Sequence, residues 1–109
     1  MKSGKRRKLQ ATGWRLGDAR DFLGMSDEEA LLVELKLALV NAVKRSRKRH
    51  RLSQMDLAQR MGSSQSRVAK IEAGDTSVSL DLIIRALLAT GATRQELQRA
   101  FAAKEKLAE

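Results

Sequence analysis

Gln65, Ser66, Arg67 and Lys70 gather an amide, a hydroxyl and two cations on one short stretch of the chain. None of these groups is a strong nucleophile or a proton carrier near neutral pH. Their chemistry is recognition: the amide offers donor and acceptor side by side, the hydroxyl can do either, and the cations neutralise anions. Val68 and Ile71 lie among them at a spacing that turns both to the other side of a helix. The polar set therefore needs a short helix, anchored by its apolar face and able to approach a ligand closely.

Catalytic chemistry has little to work with elsewhere. His50 is the single histidine, it stands inside a run of cations, and there is no cysteine. The acids are scattered or placed where helices begin, and no glycine-rich phosphate loop follows a strand-like segment. No reaction can be named, so the chain reads as a non-enzyme that needs no cofactor and offers no metal site. The absence of cysteine also excludes a disulfide framework.

The elements that must position the recognition set follow from caps and periodicity. Ser26 with Glu29 forms an S-x-x-E capping box, and Asp27 and Glu28 suit the positive end of a helix dipole. That helix should run to about Arg49, with Leu32, Leu35, Leu39, Ala42 and Val43 as one apolar stripe. Leu31, Val33, Leu37 and Val40 make its first half apolar nearly all round, which predicts burial on both faces, against the N-terminal segment or another subunit. Ser53 caps a second helix, with Asp56 at capping-box distance, ending at Met61 with Gly62 as the left-handed stop. Ser63 or Ser64 caps a third helix to about Glu72 or Ala73, stopped by Gly74. Ser79 caps a fourth, Leu80–Ala89. Thr93 with Glu96 boxes a fifth, Arg94–Lys106. No alternating β-pattern stands out. The fold class is all-α with five helices.

The second and third helices meet at a tight turn containing Gly62. Ala58, four residues earlier, allows close approach, and Leu57, Met61, Val68 and Ile71 share a core. A helix-turn-helix at Leu52–Gly74 then presents Gln65, Ser66, Arg67 and Lys70 outward, as a major groove demands. Charge agrees with that: the chain carries net +9 over 109 residues with a pI near 10.7. Residues 1–20 hold seven cations against one acid, and Lys44–Arg51 holds six cations and no acid. An anionic partner follows, with double-stranded DNA the best fit. Lys44, Arg45, Lys48, Arg49 and Arg51 are candidate phosphate contacts, of which one helix can aim only two or three at one surface. Ser64, as a cap beside DNA, is another.

Here the chain resembles the Xre class of phage-lambda-repressor-like helix-turn-helix regulators. The resemblance rests on Gln54, Leu57-Ala58, Gly62, Val68, Ile71, Glu72 and Gly74, and covers about Val43–Gly91. It implies that Gln54 contacts phosphate and braces Gln65. It implies that Gln65 reads adenine with its amide, that Ser66 and Lys70 face other base edges, and that Arg67 reaches a base or a phosphate. It further implies an ion pair between Arg47 and Glu72 that ties the first helix to the recognition helix. Ser46 departs from the family pattern, which places a large aliphatic residue there.

The segment before the motif is a basic arm, Met1–Gln10, expected to be disordered, followed by a glycine-punctuated loop to Gly24; residues 25–109 then form the DNA-binding domain. Gly17-Asp18-Ala19, Phe22-Leu23-Gly24 and Asp27-Glu28-Glu29-Ala30 are similar to a subgroup of these regulators of the HigA antitoxin type. That resemblance spans about Gly17–Leu39. It implies a homodimer on a palindromic operator, repression of its own operon and a small ribonuclease-like toxin as partner. Trp14, Phe22 and Leu23 serve either the domain's own core or such an interface. A stand-alone regulator without toxin, or a partner-binding protein with weak non-specific DNA binding, are the alternatives. No signal sequence or bilayer-length apolar run is expected, and the location implied is cytoplasmic.

Overall fold

The structure, a computed structural model, describes Gly24 and Ser26–Ala103. The expected basic arm and most of the loop after it lie outside the described residues. The chain divides into two compact units, Met1–Leu35 with Lys104–Glu109, and Lys36–Ala103. Five helices are described: α1 (Asp27–Arg49), α2 (Gln54–Met61), α3 (Gln65–Glu72), α4 (Leu80–Ala89) and α5 (Arg94–Ala102). There is no strand among the described residues, so the fold is all-α. No helix among them is long and apolar enough to cross a membrane.

In the first unit, the start of α1 is closed by the expected capping box. The Ser26 N–H donates to Glu29 Oε1 at 3.0 Å, and the Glu29 N–H donates to Ser26 Oγ at 3.2 Å. Hydrogen bonding from Ser26, first of all from its backbone N–H, holds the Glu29 carboxyl below the ordinary glutamate range. Ala30 is buried, but Leu31 and Leu32 are about half exposed, at 49% and 47%. The N-terminal segment expected to cover this face lies outside the described residues. The stripe needs a neighbour to cover it, and the core cluster begins only at Leu39.

In the second unit, Leu39, Val43, Leu57, Val68, Ile71, Ile83 and Leu87 form an aliphatic core, each at most 1% exposed. Burying one such side chain fully is worth about 1.5–3 kcal/mol. The caps divide this core into short helices. Ser53 and Asp56 box α2 with two reciprocal bonds of 2.9 Å. Ser64, of the two serines available, caps α3 by accepting the Arg67 N–H at 3.2 Å. Ser79 caps α4 by accepting the Leu82 N–H. Thr93 caps α5 by accepting the Glu96 N–H, but the expected box is only half made. The Glu96 carboxylate pairs instead with Arg49 at the end of α1, a cation that competes successfully with a neutral backbone N–H. The α5 helix closes at Ala102, where Ala103 turns to an extended conformation, and the rest of the expected span to Lys106 lies outside the described residues.

Helix ends reveal one exception. Gly62 and Gly74 both take left-handed conformations and close α2 and α3 with the paired backbone bonds of a Schellman motif. The same bonds end α1: Arg51 N–H to the Lys48 carbonyl and Leu52 N–H to the Arg47 carbonyl. The residue at the left-handed position there is Arg51, φ 58°, the one non-glycine with positive φ among the described residues.

The departure at Ser46 has a structural answer. Ser46 is 2% exposed and its hydroxyl lies 2.6 Å from that of Thr90, which is fully buried. Thr90 Oγ1 lies 2.5 Å from the Leu87 carbonyl, an oxygen that can only accept, so Thr90 donates there and Ser46 donates to Thr90. His50 Nδ1 donates to the Ser46 carbonyl at 2.8 Å. A satisfied polar cluster thus joins α1 to α4 where an aliphatic contact was expected.

Candidate nucleic-acid interface

The site is built on two short helices packed against each other. Ala58 and Leu57 on α2 and Val68 and Ile71 on α3 are all fully buried. A larger residue at Ala58 would overpack that contact, at a cost of about 1–3 kcal/mol. The buried side of α3 is Val68, Ile71 and Glu72, so its outward arc is set by elimination. Gln65, Ser66, Arg67 and Lys70 are all exposed on that arc. At 3.6 residues per turn Ser66 and Lys70 sit near its middle. Gln65 occupies one rim and Arg67 the other.

The Gln65 rim is held by a relay of side chains. The Gln65 Nε2 donates to Gln54 Oε1 at 2.7 Å, and Gln54 Nε2 donates to Glu72 Oε1 at 3.2 Å. Glu72 is 5% exposed in its side chain and is met by Arg47 in a bidentate pair, Nε to Oε2 at 2.5 Å and Nη2 to Oε1 at 2.9 Å. Arg47 Nη1 also donates to the Leu52 carbonyl at 2.9 Å. The hydrogen bond from Glu72 raises the Arg47 pKa above the ordinary arginine value, so the guanidinium stays charged. The pair expected between Arg47 and Glu72 is present, and so is the contact expected between Gln54 and Gln65. Their union through Glu72 into one network is set by the packed fold and does not follow from the sequence.

The Arg67 rim opens on a shallow groove between α3 and the start of α4. Ser64, Ser66, Arg67, Lys70, Ser79 and Arg85 line it. Ser79 and Arg85 carried no signal as site residues: one reads as a cap, the other as a surface cation paired with Asp81 at 3.2 Å. The connection is shaped by Asp75, whose carboxylate accepts from the Ser77 N–H and hydroxyl at 2.8 and 2.7 Å. These bonds hold the Asp75 carboxyl below its ordinary range. Ser64 Oγ lies 3.2 Å from Ser66 Oγ at the N-terminus of α3.

Of the remaining candidates, Lys48 and Arg51 are exposed near the end of α1, and Arg51 stands two residues before Ser53, which opens the box that starts α2. Arg49 is turned toward Glu96 on α5. Among the described residues no group of three or more His, Cys, Asp or Glu is placed to hold a metal ion. The surface is equipped for hydrogen bonding and charge neutralisation.

Residues 38–100 match a protein-family profile described as "Helix-turn-helix domain". No curated protein and no solved structure matches this chain.

Proposed function

The chain belongs to the helix-turn-helix domain family, and from that premise we propose that it is a sequence-specific regulator binding double-stranded DNA, most simply a repressor. The observation that carries the proposal is the outward arc of α3: an amide, a hydroxyl and two cations exposed on a helix whose other face is locked into the core. In this reading Gln65, Ser66 and Lys70 face base edges. Arg67 works from the opposite rim, where it reaches a base or a phosphate. Gln54, Ser64, Arg51 and Lys48 contact or brace against the backbone, while Arg47 and Glu72 are structural. Phosphate contacts set affinity and register, and base contacts set specificity.

The test is fluorescence anisotropy on the duplex upstream of the protein's own gene, against a scrambled duplex at matched salt. Preference for the former, lost in Gln65→Ala and Lys70→Ala, is expected. Equal affinity for both duplexes would sink the regulator reading and leave non-specific binding.

A finer reading adds a homodimer on a palindromic operator and the role of antitoxin to a small ribonuclease-like toxin, with residues 1–24 as an extension to the domain. It is supported by the resemblance of Gly17–Leu39 to HigA-type antitoxins and by the exposure of Leu31 and Leu32 on α1, an apolar pair suited to a protein partner. Co-purification with the product of the adjacent gene tests it. A neighbour that encodes nothing toxin-like, and fails to bind, leaves a stand-alone regulator.

A further inference from the structure

We propose that Glu72 sets which way round Gln65 presents its amide, and thereby whether the position Gln65 reads is A·T or T·A. The inference rests on Gln65 facing a base edge, as proposed above. A glutamine amide taken alone has no preferred order, because its oxygen and nitrogen are alike in size and exchange places by a half-turn of the terminal bond. Here the order is imposed from the core outward. Glu72 is a buried carboxylate held by the bidentate Arg47, and a carboxylate only accepts. Gln54 must therefore turn its NH2 toward Glu72, as it does at 3.2 Å. Its carbonyl oxygen is then the atom left for Gln65. A carbonyl only accepts as well, so Gln65 must turn its own NH2 back toward Gln54, as it does at 2.7 Å.

The consequence lies at the outer end of this relay. One N–H of Gln65 is committed inward, leaving its second N–H and its Oε1 as an ordered donor–acceptor pair. Adenine shows the major groove an N7 acceptor beside an N6 donor, and reversing the base pair reverses that order across the groove. An amide held one way matches one orientation of the pair. The same amide after a half-turn matches the other. Glu72, which touches no base in this reading, is thus a specificity-positioning residue two hydrogen bonds removed from the base.

The experiment selects binding sites from a randomised duplex library and then measures affinities at one salt concentration. It uses the full chain, Gln65→Ala, Gln54→Leu and the double variant Arg47→Met/Glu72→Gln. The double variant removes the charge without stranding the guanidinium, and Gln54→Leu carries the same test if the double variant does not fold. Gln65→Ala identifies the position that Gln65 reads, as the one whose preference disappears. At that position the full chain should favour one of A·T and T·A over the other by about tenfold. Arg47→Met/Glu72→Gln should bring that ratio within about twofold while preferences elsewhere and the salt slope hold, and Gln54→Leu should do the same to the ratio with a lower overall affinity, because Gln54 also meets the backbone. A relay variant that melts cooperatively and keeps the full ratio overturns the proposal, as does a native preference there for G·C or C·G. If Gln65→Ala alters no position, it is the assignment of Gln65 as a base contact that has failed, and the inference falls with it.

Discussion

Replacing Glu72 with alanine tests how far the site depends on its foundation. The carboxylate accepts from Arg47 at 2.5 and 2.9 Å and from Gln54 at 3.2 Å, with 5% of its side chain exposed and 13% of that of Arg47. Removing it leaves the guanidinium only its bond to the Leu52 carbonyl. Stranding one partner of a buried pair costs about 3–5 kcal/mol. Arg47 is near enough to the surface to recover some hydration, and Gln54 is half-buried and can turn to water, so the low end applies, about 3 kcal/mol. For a domain of this size each kcal/mol moves the melting temperature by roughly 4–8 °C, giving a fall of roughly 12–24 °C. Thermal melts followed by circular dichroism at 222 nm read it directly. Arg47→Met/Glu72→Met should be more stable than Glu72→Ala, because no charge is then left without its partner. A Glu72→Ala melt within about 3 °C of the native chain would refute the reasoning, since the network would then contribute nothing to the fold.

Three further outcomes are expected. Arg51→Gly should stabilise the domain by about 1 kcal/mol, since a Cβ at φ 58° is strained; it should also lower the log–log salt slope of DNA binding by about one unit if Arg51 neutralises a phosphate. Thr90→Val should cost about 1–2 kcal/mol in denaturant titrations by leaving the buried Ser46 hydroxyl without its partner, and adding Ser46→Ala should recover much of that, because removing both partners removes the unsatisfied group. Asp56 is held below the ordinary aspartate value of 3.8 by its bonds to Ser53. A lowered folded-state value stabilises above 3.8 and is lost as pH falls through it, so an acid titration of melting temperature should fall less steeply for Asp56→Asn than for the native chain.

Local chemistry specified most of the helices. Each start has a Ser or Thr side chain accepting a backbone N–H three residues on, an interaction needing nothing beyond four consecutive residues. Gly62 and Gly74 stop helices because the left-handed turn is a local property, and the outward set on α3 follows from its 3.6-residue period. What failed to follow was set by residues distant in sequence. Glu96 abandoned its box for Arg49, a partner 47 residues away, and Ser46 found Thr90 at a separation of 44. Leu32 is apolar at helical spacing, yet periodicity says which face a residue shares and not whether anything covers it.

The recognition set returns to the same division. That Gln65, Ser66, Arg67 and Lys70 share the open side of a helix is decided within eight residues, because Val68 and Ile71 have only one way to be buried. How Gln65 is held is not. Its amide is oriented by Gln54, Gln54 by Glu72, and Glu72 by Arg47, a chain of contacts that draws on three helices. Hydrogen-bond direction passes through space from a buried charge, and only the packed fold brings those four side chains within reach of one another.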